Sequence, residues 1–238
     1  MEACAGAGPC LVAGADGCRK GWVVAFAEAG AQGLRLRQPR VVPDFAALLA
    51  ATADSAAVAV DIPIGLSEDG RRLADFAARA CIGRRRSSVF PAPPRFCLNG
   101  AGYAEANQTS KVRFGRGLQR QTFNILPKIC EADACMMPAM QDRLVESHPE
   151  VSFWALAQRM LPHAKHKPDG LAERLRLLHG IYGPGLGDLA APAGAALDDL
   201  YDACVLAWTA ARLASGTAVH LPEEPQLDSR GLRMEIVY

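Results

Sequence analysis

CLVAGAD (10–16) is the stretch on which the fold turns: six apolar or small residues lead into a carboxylate, Asp16, followed at once by Gly17. A short apolar run bounded by glycine predicts a buried strand. Across a glycine-containing turn, GWVVAFA (21–27) predicts a second strand, and LRLRQPRVV (34–42), which alternates, a third. Connections this short favour antiparallel hairpins. DFAALLAAT (44–52) is apolar at helical spacing, with Asp44 placed as an N-cap. AVAVDIPIG (57–65) is a central strand closing at an Asp-Ile-Pro edge. The first third therefore predicts β-β-β-α-β.

Residues 66–140 break that rhythm and read as a helical insertion. A helix is expected around 70–82, then the proline-rich stretch RRRSSVFPAPPRF, then a helix over about 119–137 kinked or started at Pro127. RLVESHPEV (143–151) predicts a strand ending at Pro149, and SFWALAQRML (152–161) a helix capped by Ser152. DGLAERLRLLHGIYG (169–183) predicts another helix. ALDDLYDACVLAWTAARLASG (196–216) is the clearest helix, with Gly216 where a C-terminal cap belongs. RMEIVY (233–238) has strand character.

The chain has 238 residues, half of them hydrophobic, which suits a single α/β domain over 1–238 and argues against disorder. No apolar run reaches the roughly 18 residues of a membrane span. The N-terminus carries Glu2 and no basic residue through Pro9, so it does not read as a secretory signal, and a cytoplasmic protein is expected. Eight cysteines lack any Cys-x-x-Cys, the closest pairs being Cys4/Cys10 and Cys130/Cys135, so they read as ordinary thiols. Net charge is +1, but residues 71–128 hold twelve Lys/Arg and two acids, a local excess of +10 against −9 elsewhere. That asymmetry suggests an anionic partner.

The acids carry the candidate chemistry, and each has two readings. Asp16 is either a hairpin-turn residue beside Gly17 or a carboxylate at a strand edge. Asp61, beside Val60 and Ile62, either caps the turn before Pro63 or needs a partner or metal, because a buried unpaired carboxylate costs several kcal/mol. Asp198, Asp199 and Asp202 either complement the helix dipole or face a site; Asp199 and Asp202, three apart, share a face. Glu146 and Glu150 flank a turn containing His148, which is either a base, a ligand or structural. Hard divalent ions such as Mg²⁺ or Mn²⁺ take carboxylate oxygens. Two such ions about 4 Å apart activate a water and stabilise the leaving oxygen of a phosphodiester. Asp16, Asp61 and the Asp199/Asp202 pair come from three distant parts of the sequence and fit that demand.

The β-β-β-α-β order, with acids on strands one and four and on a late helix, resembles the RNase H-like fold. Six motifs extend the resemblance: GADGCRKGW (14–22), DIPIGL (61–66), GRRRSSVFPAP (83–93), PKICEAD (127–133), ESHPEVSF (146–153) and DDLYDA (198–203). They are similar to an uncharacterised family of predicted RNase H-like nucleases. The resemblance implies a mixed five-stranded sheet, its first three strands antiparallel, with helices on both faces and a basic helical insertion. It implies Asp16, Asp61, Asp199 and Asp202 as ligands of Mg²⁺ or Mn²⁺. In ribonuclease H an acid also comes from the first helix. Here that helix offers only Asp44, which leaves Glu146 to complete the set. Arg84, Arg85, Arg86, Ser87, Ser88 and Lys128 would then grip phosphates, with Glu131 near Lys128 and with Phe90 and Phe96 stacking on bases or packing.

The leading expectation is a divalent-metal-dependent nuclease acting on nucleic acid or another phosphate-bearing substrate by a two-metal mechanism, with no membrane partner. The alternative is a non-catalytic nucleic-acid or nucleotide-binding module. Less favoured is a phosphotransferase of the actin-like and sugar-kinase class, since those use two domains and a hydroxyl where this chain has Cys18.

Overall fold

The computed structural model describes residues 9–238; Glu2 and Cys4, and the N-terminal charge reading that used them, lie outside these. Strands β1 (Cys10–Cys18) and β2 (Gly21–Gly30) form an antiparallel hairpin that places Asp16 opposite Val23. The turn is Arg19-Lys20, two residues beyond the Asp-Gly pair, so Asp16 is a strand residue. The expected third strand is two: β3 (Gly33–Leu36) and β4 (Arg40–Val42), both paired with β2. The break falls at residues 37–39, where Pro39 has no N–H to offer a ladder. Helix α1 (Phe45–Ala51) starts as expected, Asp44 accepting the Ala47 N–H at 2.7 Å. Strand β5 (Ala57–Val60) follows, parallel to β1.

Between residues 66 and 140 lie α2 (Leu73–Cys81), α3 (Tyr103–Phe114), α4 (Arg120–Asn124) and α5 (Leu126–Cys135). The expected 119–137 helix is broken before Pro127, which sits in the first turn of α5, where its missing N–H costs nothing. Helix α3 was not foreseen: only Ala106 and Ser110 of it are buried, too few for an apolar stripe. Strand β6 (Leu144–Glu146) is shorter than expected, because α6 (Pro149–Ala157) begins at Pro149 and not at Ser152. His148 makes that start, its side chain accepting the Glu150 N–H. Then come α7 (Pro168–Tyr182), α8 (Leu197–Ala214), β7 (His220–Leu227) and β8 (Arg233–Val237).

The main sheet runs β3-β2-β1-β5-β6, with β4 also on β2; it is mixed, β5 and β6 lying parallel to β1. β7 and β8 form a separate two-stranded sheet. β7, with Pro222 and Pro225, does not read as a strand in the sequence. Alternation sorts the central strands into two layers. Val12, Val23, Ala25, Ala59 and Val145 pack with α8 and Leu178 of α7. Ala13, Ala15, Trp22, Val24, Val58 and Val60 pack with Phe45, Leu48 and Ile129 of α1 and α5. Among the described residues, no helix is long and apolar enough to cross a membrane. Cys18, Cys81, Cys97, Cys130, Cys135 and Cys204 are free thiols.

One glycine brings α8 onto the sheet. A Cβ at Gly14 would lie 2.1 Å from Ala207 N, 2.2 Å from Ala203 O and 2.6 Å from Leu206 C. Backbone meets backbone there, and any side chain would push the two elements apart.

Candidate functional site

The parallel register pairs Ala15 with Val60, and the Asp61 N–H donates to Ala15 O at 3.0 Å. Asp16 and Asp61 therefore leave adjacent strands at the same level. Asp16 shares its parity with Val12 and Gly14, and Asp61 with Ala57 and Ala59, so both sit on the sheet face that α8 covers. Asp202 stands on α8 one residue before Ala203, whose carbonyl touches Gly14. Three carboxylates from three elements thus converge on one cleft of about 470 Å³.

Their electrostatics are unfavourable in isolation. Burial, then the charges of Asp61 and Asp202, push the Asp16 carboxyl well above the usual range, and Lys165 only partly opposes this. Burial likewise raises Asp61, against His148 and Lys165. Asp202 is pushed up to about 6 by burial, opposed by Lys165 and reinforced by Asp61 and Glu150. Asp16 accepts the Gly17 N–H at 2.7 Å, which satisfies one of its oxygens. A cluster of desolvated carboxylates that raise one another's pKa is a site short of positive charge.

The cation that bonds these acids directly is Lys165, on Asp202, and the sequence reading missed it. Its ammonium donates to Asp202 Oδ2 and lies 3.8 Å from Asp198. Burial works against its charge, but Asp202, Asp16 and Asp61 outweigh burial and hold the amine protonated far up the scale. Lys165 belongs to an irregular segment between α6 and α7, and nothing in HAKHK (163–167) distinguishes it from a solvated lysine.

The other expected residues divide. Asp199 is outside the cleft lining; its carboxylate accepts the Ala196 N–H at 2.8 Å and caps α8. Glu146 borders the cleft, but Arg72 Nη2 at 2.5 Å and the Ile64 N–H at 2.7 Å occupy its Oε2. Arg72 is fully buried; burial opposes its charge, and Glu146 and Asp75 outweigh it. Arg85 and Ser88 line the cleft, whereas Arg84, Arg86 and Ser87 are exposed on the neighbouring turn. Lys128 reaches the cleft, but its Nζ donates to Gly21 O at 2.6 Å and sits 4.5 Å from the Trp22 ring centre. Glu131 is not part of the cleft lining; it accepts Trp22 Nε1–H at 3.0 Å and Phe45 N–H at 3.2 Å.

Much of the basic excess is consumed inside the protein. Arg85 pairs with Glu150 at 3.2 Å, and Arg95 with Asp133 at 3.2 Å and with Asp228. Arg79 donates to Val89 O and Arg116 to Asp69 O. Arg113 lies over Phe96 and Arg120 over Tyr103. The clustered charge in the sequence therefore overstates the positive surface offered to a partner. His148 is also engaged: its Nδ1 lies 3.2 Å from Glu150 N and its Nε2 3.3 Å from Ser88 O.

The donor set suits a hard divalent cation, since it is all carboxylate oxygen, desolvated and short of positive charge. Among the described residues, however, no three His, Cys, Asp or Glu side chains are gathered as a ready cage. The ammonium of Lys165, not a closed ligand shell, is what meets these acids.

Residues 14–227 match the family model described as "Protein of unknown function (DUF429)", and the chain belongs to that family. No curated protein and no solved structure matches the chain.

Proposed function

We propose that this member of the DUF429 family is a divalent-metal-dependent nuclease on an RNase H-like fold, hydrolysing phosphodiester bonds of nucleic acid. The convergence of Asp16, Asp61 and Asp202 on one cleft, each carboxyl raised by burial, carries the reading. The order β3-β2-β1-β5-β6, antiparallel through β3 and parallel from β1 onward, supports the fold assignment.

Asp16, Asp61 and Asp202 would hold Mg²⁺ or Mn²⁺, with Asp199 close by on α8. When bound, the ion supplies Lewis acidity at the phosphate and acidifies water. The chain's own residues do the rest. Arg84 and Arg86, exposed on the turn beside the cleft, orient the phosphodiester, a task suited to the planar guanidinium fork, while Arg85 at the cleft wall stays paired with Glu150. Phe90 and Ile125, 40% and 38% exposed at the cleft, offer an apolar face to a base. The buried Arg72–Glu146 pair holds the floor beneath Ile64.

The test is cleavage of labelled single-stranded, duplex, hybrid and branched substrates with Mg²⁺ or Mn²⁺. Asp16→Asn is expected to lower turnover by about a hundredfold or more. Equal turnover in variant and wild type would remove this site from the reaction. A second reading, a module that binds phosphate without chemistry, is favoured by the seat Lys165 takes on Asp202. Calorimetry separates the two: salt-sensitive oligonucleotide binding with no divalent-ion binding points to the module.

A further inference from the structure

Resting on the metal-dependent reading above, we infer that Lys165 is a built-in exchangeable cation: it occupies Asp202 until a divalent ion arrives, and binding of that ion expels its ammonium to solvent. The contact itself is the first support. Lys165 Nζ donates to Asp202 Oδ2, an oxygen of the carboxylate that a metal would need. Three carboxylates facing one ammonium leave the cluster formally negative, so a divalent ion compensates them better than a lysine does. The two cations cannot share one carboxylate oxygen without strong like-charge repulsion.

The asymmetry of burial decides which partner leaves. The Asp202 side chain is 2% exposed and sits in the body of α8, whereas the Lys165 side chain is 37% exposed. The lysine has a route to water and the aspartate has none. Its backbone can stay still during the exchange. The Lys167 N–H bonds Ala164 O at 3.0 Å, and Gly170 in α7 lets that carbonyl approach to 2.1 Å of where a Cβ would be. The root is held and only a four-carbon stem has to rotate, a rapid motion for a part-exposed side chain.

Among the described residues, the ion-pair partners of Lys165 are Asp202 and Asp198, both on α8. Lys165 also lines the same cleft as Asp16 and Asp61, and its charge opposes the rise in pKa of both. The device would keep the unloaded acids tolerable and set the metal concentration at which the site fills.

Two measurements on the full chain test this. Mn²⁺ binding at pH 8, by calorimetry or by loss of the free-ion paramagnetic signal, is compared in wild type and Lys165→Met. Removing the competing cation is expected to tighten binding about tenfold, within the usual range of coupled-ligand effects. Wild-type protein is also acetylated with and without saturating Mg²⁺, and the rate at Lys165 is read by peptide mass spectrometry. Labelling of Lys165 is expected to rise several-fold with Mg²⁺, while exposed Lys111 on α3 stays constant. Metal binding by wild type with unchanged or weaker affinity in Lys165→Met, or with Lys165 labelling unchanged, overturns the exchange and leaves the metal site standing. No divalent binding by either protein overturns the metal reading and the exchange with it. Should Lys165→Met not fold, the labelling experiment alone decides.

Discussion

Replacing Gly14 with alanine is the sharpest probe of how the cleft is assembled. The new methyl would meet three backbone atoms of α8 at 2.1, 2.2 and 2.6 Å. Ordinary carbon contacts begin near 3.5 Å, so β1 and α8 must separate by about 1 Å. No side chain is available to rotate away, because every obstacle is main chain in the middle of an 18-residue helix. Overpacking of this kind costs about 1–3 kcal/mol, and rigid obstacles place it at the upper end. Relieving the glycine's own entropy cost in a strand returns about 0.5–1 kcal/mol. The net expectation is a loss of about 2 kcal/mol, or about 4–8 °C in Tm for a chain of this size. Calorimetric melting in chelator measures it. Gly180→Ala is the internal control: it lies in α7 with nothing within 4 Å of its Cβ, and is expected to stabilise by up to about 1 kcal/mol. Since α8 carries Asp202, Gly14→Ala is also expected to weaken Mn²⁺ binding at temperatures where it is fully folded. A Gly14→Ala protein that melts within a degree of wild type, or a Gly180→Ala protein equally damaged, refutes the close-approach account.

Three further outcomes are expected. Asp16, Asp61 and Asp202 have folded pKa values above their ordinary 3.8, Asp202 at about 6. An acid that holds its proton more tightly when folded loses stability as pH rises from its unfolded value through its folded value, and the penalty persists above it. Metal-free protein should therefore melt lower at pH 8 than near pH 5, and Asp16→Asn should melt higher than wild type at pH 8 despite losing activity; a lower Tm for the variant contradicts the like-charge account. Arg72→Met strands Glu146, whose carboxyl burial already pushes up to about 8, and is expected to cost about 3–5 kcal/mol in urea unfolding at pH 9, where the acid must ionise; a loss under 1 kcal/mol there would show that Glu146 finds another partner. The exposed pair Arg84→Ala/Arg86→Ala should leave Tm unchanged while reducing the salt slope of oligonucleotide binding by about two; an unchanged slope would place the substrate elsewhere.

The family motifs and the acids were legible because their local setting announced them. Asp16 and Asp61 each close an apolar run, and one residue pattern specifies both the strand and its charged end. Charge counting was less reliable. The twelve basic residues of 71–128 look like a surface in one dimension, yet Arg72, Arg79, Arg85, Arg95 and Arg116 bind partners that lie close in space and, for most, far away in sequence. Asp199 and Asp202 share a helix face and could not be ranked by spacing; the Ala196 N–H takes the first and the cleft takes the second.

The sequence by itself determined the α/β alternation, the antiparallel start, the Asp44 cap and the acids with the best claim to a site. Periodicity and capping are local, set by neighbours within a few residues. Tertiary structure alone decided that β7 and β8 form their own sheet, that Glu146 answers to Arg72, and that Lys165 from an irregular segment sits on Asp202. These join residues 6 to 17 positions apart in the β7–β8 ladder, 37 apart in the Lys165–Asp202 contact and 74 apart in the Arg72–Glu146 pair, and no period in the chain encodes which distant charge a buried carboxylate will meet.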